Sequence, residues 1–258
     1  FAVGDIVNGS LGWQEHAVSN GRGLRKVDPS LGPISTAVGV LGMPGMTAYT
    51  GLKNIGLPAD GETLVVAAAS GAVGAVVGQI AKIRGCRVVG LAGSQEKCDY
   101  VVNACGFDVC INHRASDMEE QLAAVCPDGI DVYWENVGGE VFKAVLPLMN
   151  DFGRIPVCGI IAHYNDTELA TGVDRLPMLE GLVLRRRLTL RGFIVSDFQA
   201  DYADFLDDMS RWVSEGKIRY REDFVDGLDN APQALAGLLE GQNFGKLIVR
   251  VGEDPTLG

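Results

Sequence analysis

The sequence predicts an α/β protein built on a doubly wound parallel sheet, with a smaller β region drawn from the chain ends. Three observations predict it. Residues 64–78 read as a buried strand, a glycine-bearing turn and a helix start. A second strand follows about 20 residues after that turn, the spacing of a mononucleotide-binding βαβ unit. From residue 63 to 194, apolar runs of strand length alternate with segments of helical periodicity, the rhythm of a parallel sheet.

The elements follow in order. Residues 1–42 read as short strands and turns: Asp5-Ile6-Val7, Trp13 to Val18 and Leu24 to Val27, separated by glycines and ended by Asp28-Pro29. Thr47 to Ile55 reads as a helix stopped by Gly56 and Pro58. The sheet strands are expected at Thr63–Ala69, Arg87–Leu91, Val109–Asn112, Ile130–Glu135, Gly153–Cys158 and Leu188–Ile194. The helices between them are expected at Ala72–Arg84, Glu96–Cys105, Asp117–Val125 and Glu140–Leu148. The first of these carries Val73, Val76, Val77, Ile80 and Ile83 at helical spacing, with Lys82 and Arg84 outward. Arg185 to Arg187 read as a solvated helix end favoured by the helix dipole. Asp201–Glu215 is amphipathic and helical. A strand at Phe224-Val225, a helix at Ala231–Leu239 and a strand at Lys246–Val251 break the βα rhythm and are expected to return to the N-terminal β region.

The glycine turn has the form A-x-G-x-x-G, with Ala69 at the first glycine position, then Gly71 and Gly74. Free N–H groups and the positive end of a helix dipole meet there, where a pyrophosphate can sit. Gly71 lets the backbone approach phosphates, and Gly74 and Gly78 let the helix pack close to the strand. Alone, the pattern fits tight packing equally well. The end of the second strand sharpens it. An NAD site carries Asp or Glu there, whereas this strand ends Ala92-Gly93-Ser94, with Lys97 one turn later and Arg114 after the third strand. The missing acid and nearby cations favour the 2′-phosphate of NADP. One charge-assisted hydrogen bond is worth roughly 1.5–3 kcal/mol, enough for about tenfold in affinity. Either cation also fits a plain surface position.

Composition excludes other classes. Of 258 residues, 47% are apolar and 21% charged, as in globular proteins. A net charge of −11 argues against nucleic acid and against an anionic membrane surface. No apolar run reaches membrane-spanning length. The six cysteines include no C-x-x-C pair and fit buried thiols of a reducing cytosol. The three histidines, His16, His113 and His163, are far apart, so no metal ligand set is expected. The start at Phe1 reads as the middle of a strand–turn, with the protein expected to begin earlier.

Several short segments, in order and nearly end to end, resemble one family. They are Gly9 to Glu15, Gly42 to Tyr49, Ala68 to Gly74, Ala92 to Lys97, Glu135 to Gly139, Arg154 to Gly159 and Asn243 to Lys246. The chain resembles the zinc-free medium-chain dehydrogenase/reductases, in the branch of prostaglandin and leukotriene reductases, alkenal double-bond reductases and bacterial curcumin reductase. The resemblance implies a Rossmann domain over residues 43–217 and a partial GroES-like substrate domain from 1–42 and 218–258. It also implies that roughly another hundred residues, with part of the pocket wall, precede Phe1.

The cofactor implied is NADP. Ser70, Gly71, Ala72, Val73 and Gly74 are expected at its pyrophosphate, and Gly93, Ser94 and Lys97 at its 2′-phosphate. His113 stands where the family usually has tyrosine; it can stack and, when protonated, pair with phosphate. Asn136 is expected to hydrogen-bond the cofactor. Cys158, Gly159 and Ile160 are expected to line its nicotinamide side, and Thr47 to touch that end. Phe193, Ile194 and Val195 are expected to border the substrate, with Asn243 and Gly245 closing from the tail. The reaction implied is reduction of a carbon–carbon double bond conjugated to a carbonyl in a small apolar molecule. Charge develops on the carbonyl oxygen and needs a donor. Tyr164 matches a family tyrosine near the nicotinamide ribose and is the expected donor, with a purely pocket-shaping role as the alternative. His163 on the same loop is expected to face solvent. A quinone reductase, or a non-catalytic NADP-binding protein, are the competing functions. The sixth strand lies where the superfamily commonly pairs sheets, so a homodimer is expected.

Overall fold

A computed structural model describes residues 1–168 and 173–256. Its centre is a six-stranded, wholly parallel sheet. Chain order gives β1 (Val7–Asn8), β2 (Arg25–Lys26), α1 (Met43–Gly51), β3 (Thr63–Ala67), α2 (Gly74–Ile83), β4 (Arg87–Ala92), α3 (Gln95–Asn103), β5 (Val109–Asn112) and α4 (Met118–Val125). There follow β6 (Ile130–Trp134), α5 (Gly139–Val145), β7 (Met149–Val157), α6 (Leu176–Arg186), β8 (Thr189–Gly192), α7 (Tyr202–Ser214), β9 (Glu222–Asp226), α8 (Ala231–Leu239) and β10 (Lys246–Arg250).

The strand order is β5-β4-β3-β6-β7-β8. The sheet therefore grows outward in both directions from β3 and β6, and a crevice opens at their carboxyl ends. Every residue of β3 is buried, because helices cover both faces. Period-two alternation sorts its side chains between two cores. Leu64 and Val66 join the core under α1, α2 and α7, with Trp134 and Phe205. Val65 and Ala67 join the core under α4 and α5, with Leu122, Val145 and Met149.

Turn chemistry fixes how α2 meets the sheet. Ala68 takes a left-handed conformation with φ 52°, which reverses the chain at the end of β3. A Cβ on Gly74 would lie 2.3 Å from the Ala68 carbonyl oxygen, so the position admits only glycine. Ala69 at the first fingerprint position is fully buried. Its methyl is accommodated by Gly90 on β4, where an added Cβ would lie 2.9 Å away. The second packing glycine works differently from expectation. Gly78 faces the Phe107 ring before β5, with an added Cβ 2.0 Å from its Cζ, rather than strand β3. Val76, Val77 and Ile80 are buried as expected, whereas Ile83 is 38% exposed. Lys82 reaches Asp108 at 2.8 Å and so ties α2 to the start of β5.

The chain ends correct one further expectation. Trp13 to Val18 forms no strand, and Trp13 and Val18 are exposed. β1 and β2 pair antiparallel with each other, β9 and β10 pair parallel, and the two ribbons do not share a sheet. Ser35, in the turn after β2, donates to Glu222 Oε2 of β9 at 2.8 Å. The arginine run does end a helix, α6, and its Arg186 and Arg187 pair with Asp151.

Gly78→Ala is expected to lower unfolding free energy by about 1–3 kcal/mol through overpacking against Phe107, despite the roughly 1 kcal/mol helix gain. Chemical denaturation checks this, and Phe107→Leu in the same chain is expected to recover part of the loss.

Candidate active site

The crevice at the β3–β6 switch point is where open α/β sheets bind ligands. On one side stands the turn Ala69–Gly74. Gly71 donates its N–H to Ala68 O at 3.0 Å. Its Cα face is open apart from that same oxygen at 3.2 Å from an added Cβ. Among the described residues, the N–H groups of Ala72 and Val73 have no main-chain acceptor. They precede the N-terminus of α2, so donors and the positive end of its dipole face one point.

A second part of the site lies at the ends of β4 and β5. Ser94 caps α3, its hydroxyl accepting from Lys97 N at 3.3 Å. Gly93 leaves room for the His113 ring, whose Nε2 would lie 3.3 Å from an added Cβ, with the Arg114 Nε at 3.7 Å. Lys97 Nζ donates to the carbonyl of Gly241, in the tail, at 2.7 Å. Burial and then the Arg114 charge push Lys97 below the usual lysine range. Burial first, then Arg114 and Lys97, push His113 down as well. Among the described residues, no carboxylate forms an ion pair with Lys97 or Arg114. Lys97, Arg114 and His113 are thus gathered at an electrostatic cost that a nearby anion would relieve.

The tail closes over both parts. Gly245 has φ 84°, and an added Cβ would lie 2.2 Å from Arg221 O. Phe244 stands edge-on to Tyr100 of α3 at 5.1 Å, with the Arg221 guanidinium 3.8 Å from its ring centre. Ser70, Gly71 and Ala72 thereby share a narrow cleft with Tyr220, Arg221, Gly245 and Lys246. The Asn243 side chain donates to Gly245 O at 2.9 Å and shapes this bend.

The third part follows β6. Asn136 is half-buried, and its amide is engaged within the protein. It donates to Ala67 O at 2.8 Å and accepts from Trp134 Nε1 at 3.1 Å, so it braces the crevice from β6 to β3. Glu135, which sequence reasoning gave no role, is 2% exposed. Its Oε1 accepts from Val137 N at 2.5 Å and Gly138 N at 2.8 Å. Burial pushes its carboxyl up, and these N–H groups oppose the shift. The Glu135 carbonyl also accepts from Cys158 N and Gly159 N, which aligns the end of β7. An acid placed directly after a buried strand, in Glu135-Asn136-Val137-Gly138, was the available signal.

Beyond β7, Cys158 and Gly159 are half-buried, and Ile160 is 44% exposed. Burial pushes the Cys158 thiol up to about 11. The Tyr164 hydroxyl accepts from Ile160 N at 3.4 Å. It lies so close over Gly159 that an added Cβ would come within 2.8 Å of it. His163 meets Asp166 at 2.8 Å. Thr47 is buried and donates to Met43 O at 2.8 Å. Phe193 is a core residue, edge-on to Trp134 at 5.8 Å, rather than a pocket wall. Ile194 is exposed. Val195 lines a cavity of about 330 Å3 with Met43, Met46, Tyr202, Leu31 and Arg25.

This geometry has close counterparts. The family model described as "Zinc-binding dehydrogenase" matches residues 72–211. The NADPH-dependent curcumin reductase of Escherichia coli (strain K12) is 56% identical over 255 residues, covering 98% of this chain and 74% of that protein. The chain belongs to the medium-chain dehydrogenase/reductase family. It is also similar to the 2-alkenal reductase (NADP(+)-dependent) of Nicotiana tabacum, at 44% identity over 98% of this chain and 73% of that protein. Among solved structures, CurA from Vibrio vulnificus in complex with NADPH superposes with a TM-score of 0.94. It is 53% identical, over 98% of this chain and 75% of that one. Among the described residues of this medium-chain dehydrogenase/reductase, no group of three or more His, Cys, Asp or Glu is placed to hold a metal ion. No described helix is long and apolar enough to cross a membrane.

A phosphate seated by His113 offsets the Arg114 and Lys97 charges that, after burial, hold its pKa down, so His113 is expected to take up a proton when a 2′-phosphorylated nucleotide binds. Affinity for that nucleotide is then higher below the pKa of His113 in the complex and falls as pH rises through it. Calorimetry near pH 6.5 in buffers of differing ionisation enthalpy checks this. His113→Tyr is expected to take up fewer protons; an unchanged uptake would contradict the assignment.

Proposed function

We propose that this chain is an NADPH-dependent reductase of the carbon–carbon double bond in α,β-unsaturated ketones and aldehydes. The observation that carries it is the Tyr164 hydroxyl, held at the mouth of the crevice over Gly159. It is supported by the cation group beside Gly93 and by the relatives named above.

The residues present fit the dinucleotide. The open face of Gly71 and the donors of Ala72, Val73 and the start of α2 suit a pyrophosphate. Ser94, Lys97, His113 and Arg114 suit a 2′-phosphate, and the tail through Asn243 and Gly245 covers the cleft. Bound there, the cofactor supplies a hydride to the substrate's β-carbon. The protein supplies placement and polarity. Gly159 and Cys158 leave a flat wall beside the reacting carbon, and Glu135 and Asn136 hold that wall in register with β3. Tyr164 donates its hydroxyl proton in a hydrogen bond to the carbonyl oxygen as negative charge develops there, directly or through the ribose. Such a donor is worth about 3–4 kcal/mol where it is fully engaged in the transition state. Met43, Met46, Leu31 and Val195 make one side of the 330 Å3 cavity apolar, opposite Arg25, Lys26 and Asp28, and that side suits the apolar part of a small substrate.

The same reading assigns 43–217 to the nucleotide domain and the two end ribbons to a GroES-like substrate domain. A homodimer through β8 is part of it: Thr189 to Gly192 form the sheet edge and are all exposed. The free thiols suit a cytoplasmic setting.

NADPH oxidation measured against enals, enones and quinones tests the proposal. Turnover of the conjugated carbonyls is expected. Turnover of quinones alone, or nucleotide binding without turnover, would replace it. Tyr164→Phe is expected to lower kcat by about 10²-fold or more with NADPH affinity nearly unchanged; an unchanged rate would remove Tyr164 from the chemistry.

A further inference from the structure

Two of the six free cysteines stand in contact. Cys98 lies in the first turn of α3 and Cys110 on β5, and their sulfurs are 2.9 Å apart, with the Cys110 S–H donating to Cys98. A disulfide has its sulfurs about 2.05 Å apart, so closure asks for roughly 0.9 Å of movement. Cys98 is 2% exposed and Cys110 is half-buried. Their place in the fold gives the contact a meaning. Cys98 follows Lys97, and Cys110 precedes His113 and Arg114 by one short strand end. The two thiols therefore join the two elements that carry the cations of the phosphate seat.

We propose that Cys98 and Cys110 form a reversible disulfide with peroxide as oxidant, and that this bond draws α3 onto β5 and loosens the 2′-phosphate seat. The proposal rests on the reading of Ser94, Lys97, His113 and Arg114 as that seat. In the first step the Cys98 thiolate attacks one peroxide oxygen. The O–O bond breaks, hydroxide leaves and takes up the proton the thiol had shed to become water, and Cys98 becomes a sulfenic acid. In the second step the Cys110 sulfur attacks the Cys98 sulfur, the S–OH bond breaks, and a second water leaves. Two thiols and one hydrogen peroxide give one disulfide and two waters. A dithiol reductant reverses it by exchange.

The hydrogen bond to Cys98, and then burial, push the Cys110 thiol up, so Cys98 is the thiol that starts the reaction. The S–H of Cys110, an effect larger than burial, brings Cys98 below the usual thiol range. Burial raises Cys86, Cys105, Cys126 and Cys158 instead, which slows their reaction with peroxide. Lys97 Nζ is already held by Gly241 O at 2.7 Å. A shift of α3 therefore moves Lys97 relative to its tail anchor as well as to His113.

The test uses the full chain, reduced and then exposed to hydrogen peroxide, with remaining thiols alkylated and peptides mapped by mass. A Cys98–Cys110 cross-link is expected, with the four other cysteines alkylated. The Kd for NADPH is expected to rise about tenfold, the share of one charge-assisted contact, while that for NADH stays constant; dithiothreitol restores the first value. Cys110→Ser is expected to abolish both the cross-link and the shift. Cys98 and Cys110 recovered in alkylated form after peroxide would overturn the pairing. A cross-link with unchanged NADPH affinity would overturn the coupling. A reduced chain binding NADH as tightly as NADPH would overturn the phosphate-seat reading itself, while the mass map still decides the pairing.

Discussion

The close approach of α2 to the end of β3 is the constraint on which the rest of the structure depends. With Ala68 in a left-handed conformation, its carbonyl oxygen occupies the space where a Cβ of residue 74 would stand. The first turn of the helix then begins directly over the strand end, and its unpaired donors face the crevice. The same approach presses Ala69 against β4 at Gly90. Two small residues on neighbouring strands thus exchange roles without opening the packing. A methyl group at the usual glycine position is tolerated because the missing volume reappears across the sheet.

From that anchor the site extends sideways through backbone as much as through side chains. Strand β4 ends without an acid, which leaves the cations of α3 and of the segment after β5 without a competitor. The tail supplies the lid, since Gly241 holds Lys97 and the Phe244–Arg221 stack rests on Tyr100. Glu135 performs a comparable task at the end of β6. One buried carboxylate holds the Val137–Gly138 turn, and its own carbonyl holds the start of the Cys158–Gly159 wall. Electrostatic cost is accepted at both places, as a depressed lysine and histidine at one and a raised carboxyl at the other. Such strain is expected where a site is shaped for a ligand.

The sheet was legible because its signals are local. Runs such as Leu64-Val65-Val66 can only be strands buried on both faces, and all six sheet strands lie at or within a few residues of their expected places. The helix Ala231–Leu239 coincides with its expectation, since Pro232 near its start and Gly241 beyond its end mark both limits. Legibility failed where the deciding contact is distant in sequence. Trp13 to Val18 alternates like a strand but has no partner to pair with among the described residues. Gly78 looked like a strand-packing glycine, yet its neighbour is Phe107, whose position no local pattern reveals. Asn136 is expected at the cofactor only through the family resemblance; that its amide also braces Trp134 and Ala67 is visible only in the fold. The meeting of Cys98 with Cys110 likewise follows from α3 lying on β5, not from spacing.

A crystal structure of this chain with NADPH bound tests the account most directly. The pyrophosphate is expected against the N–H groups of Ala72, Val73 and Gly74, with the 2′-phosphate among Ser94, Lys97, His113 and Arg114. The nicotinamide is expected beside Gly159, within reach of the Tyr164 hydroxyl. A dinucleotide seated away from the Ala68–Gly74 turn, or a 2′-phosphate turned out to solvent, would contradict it.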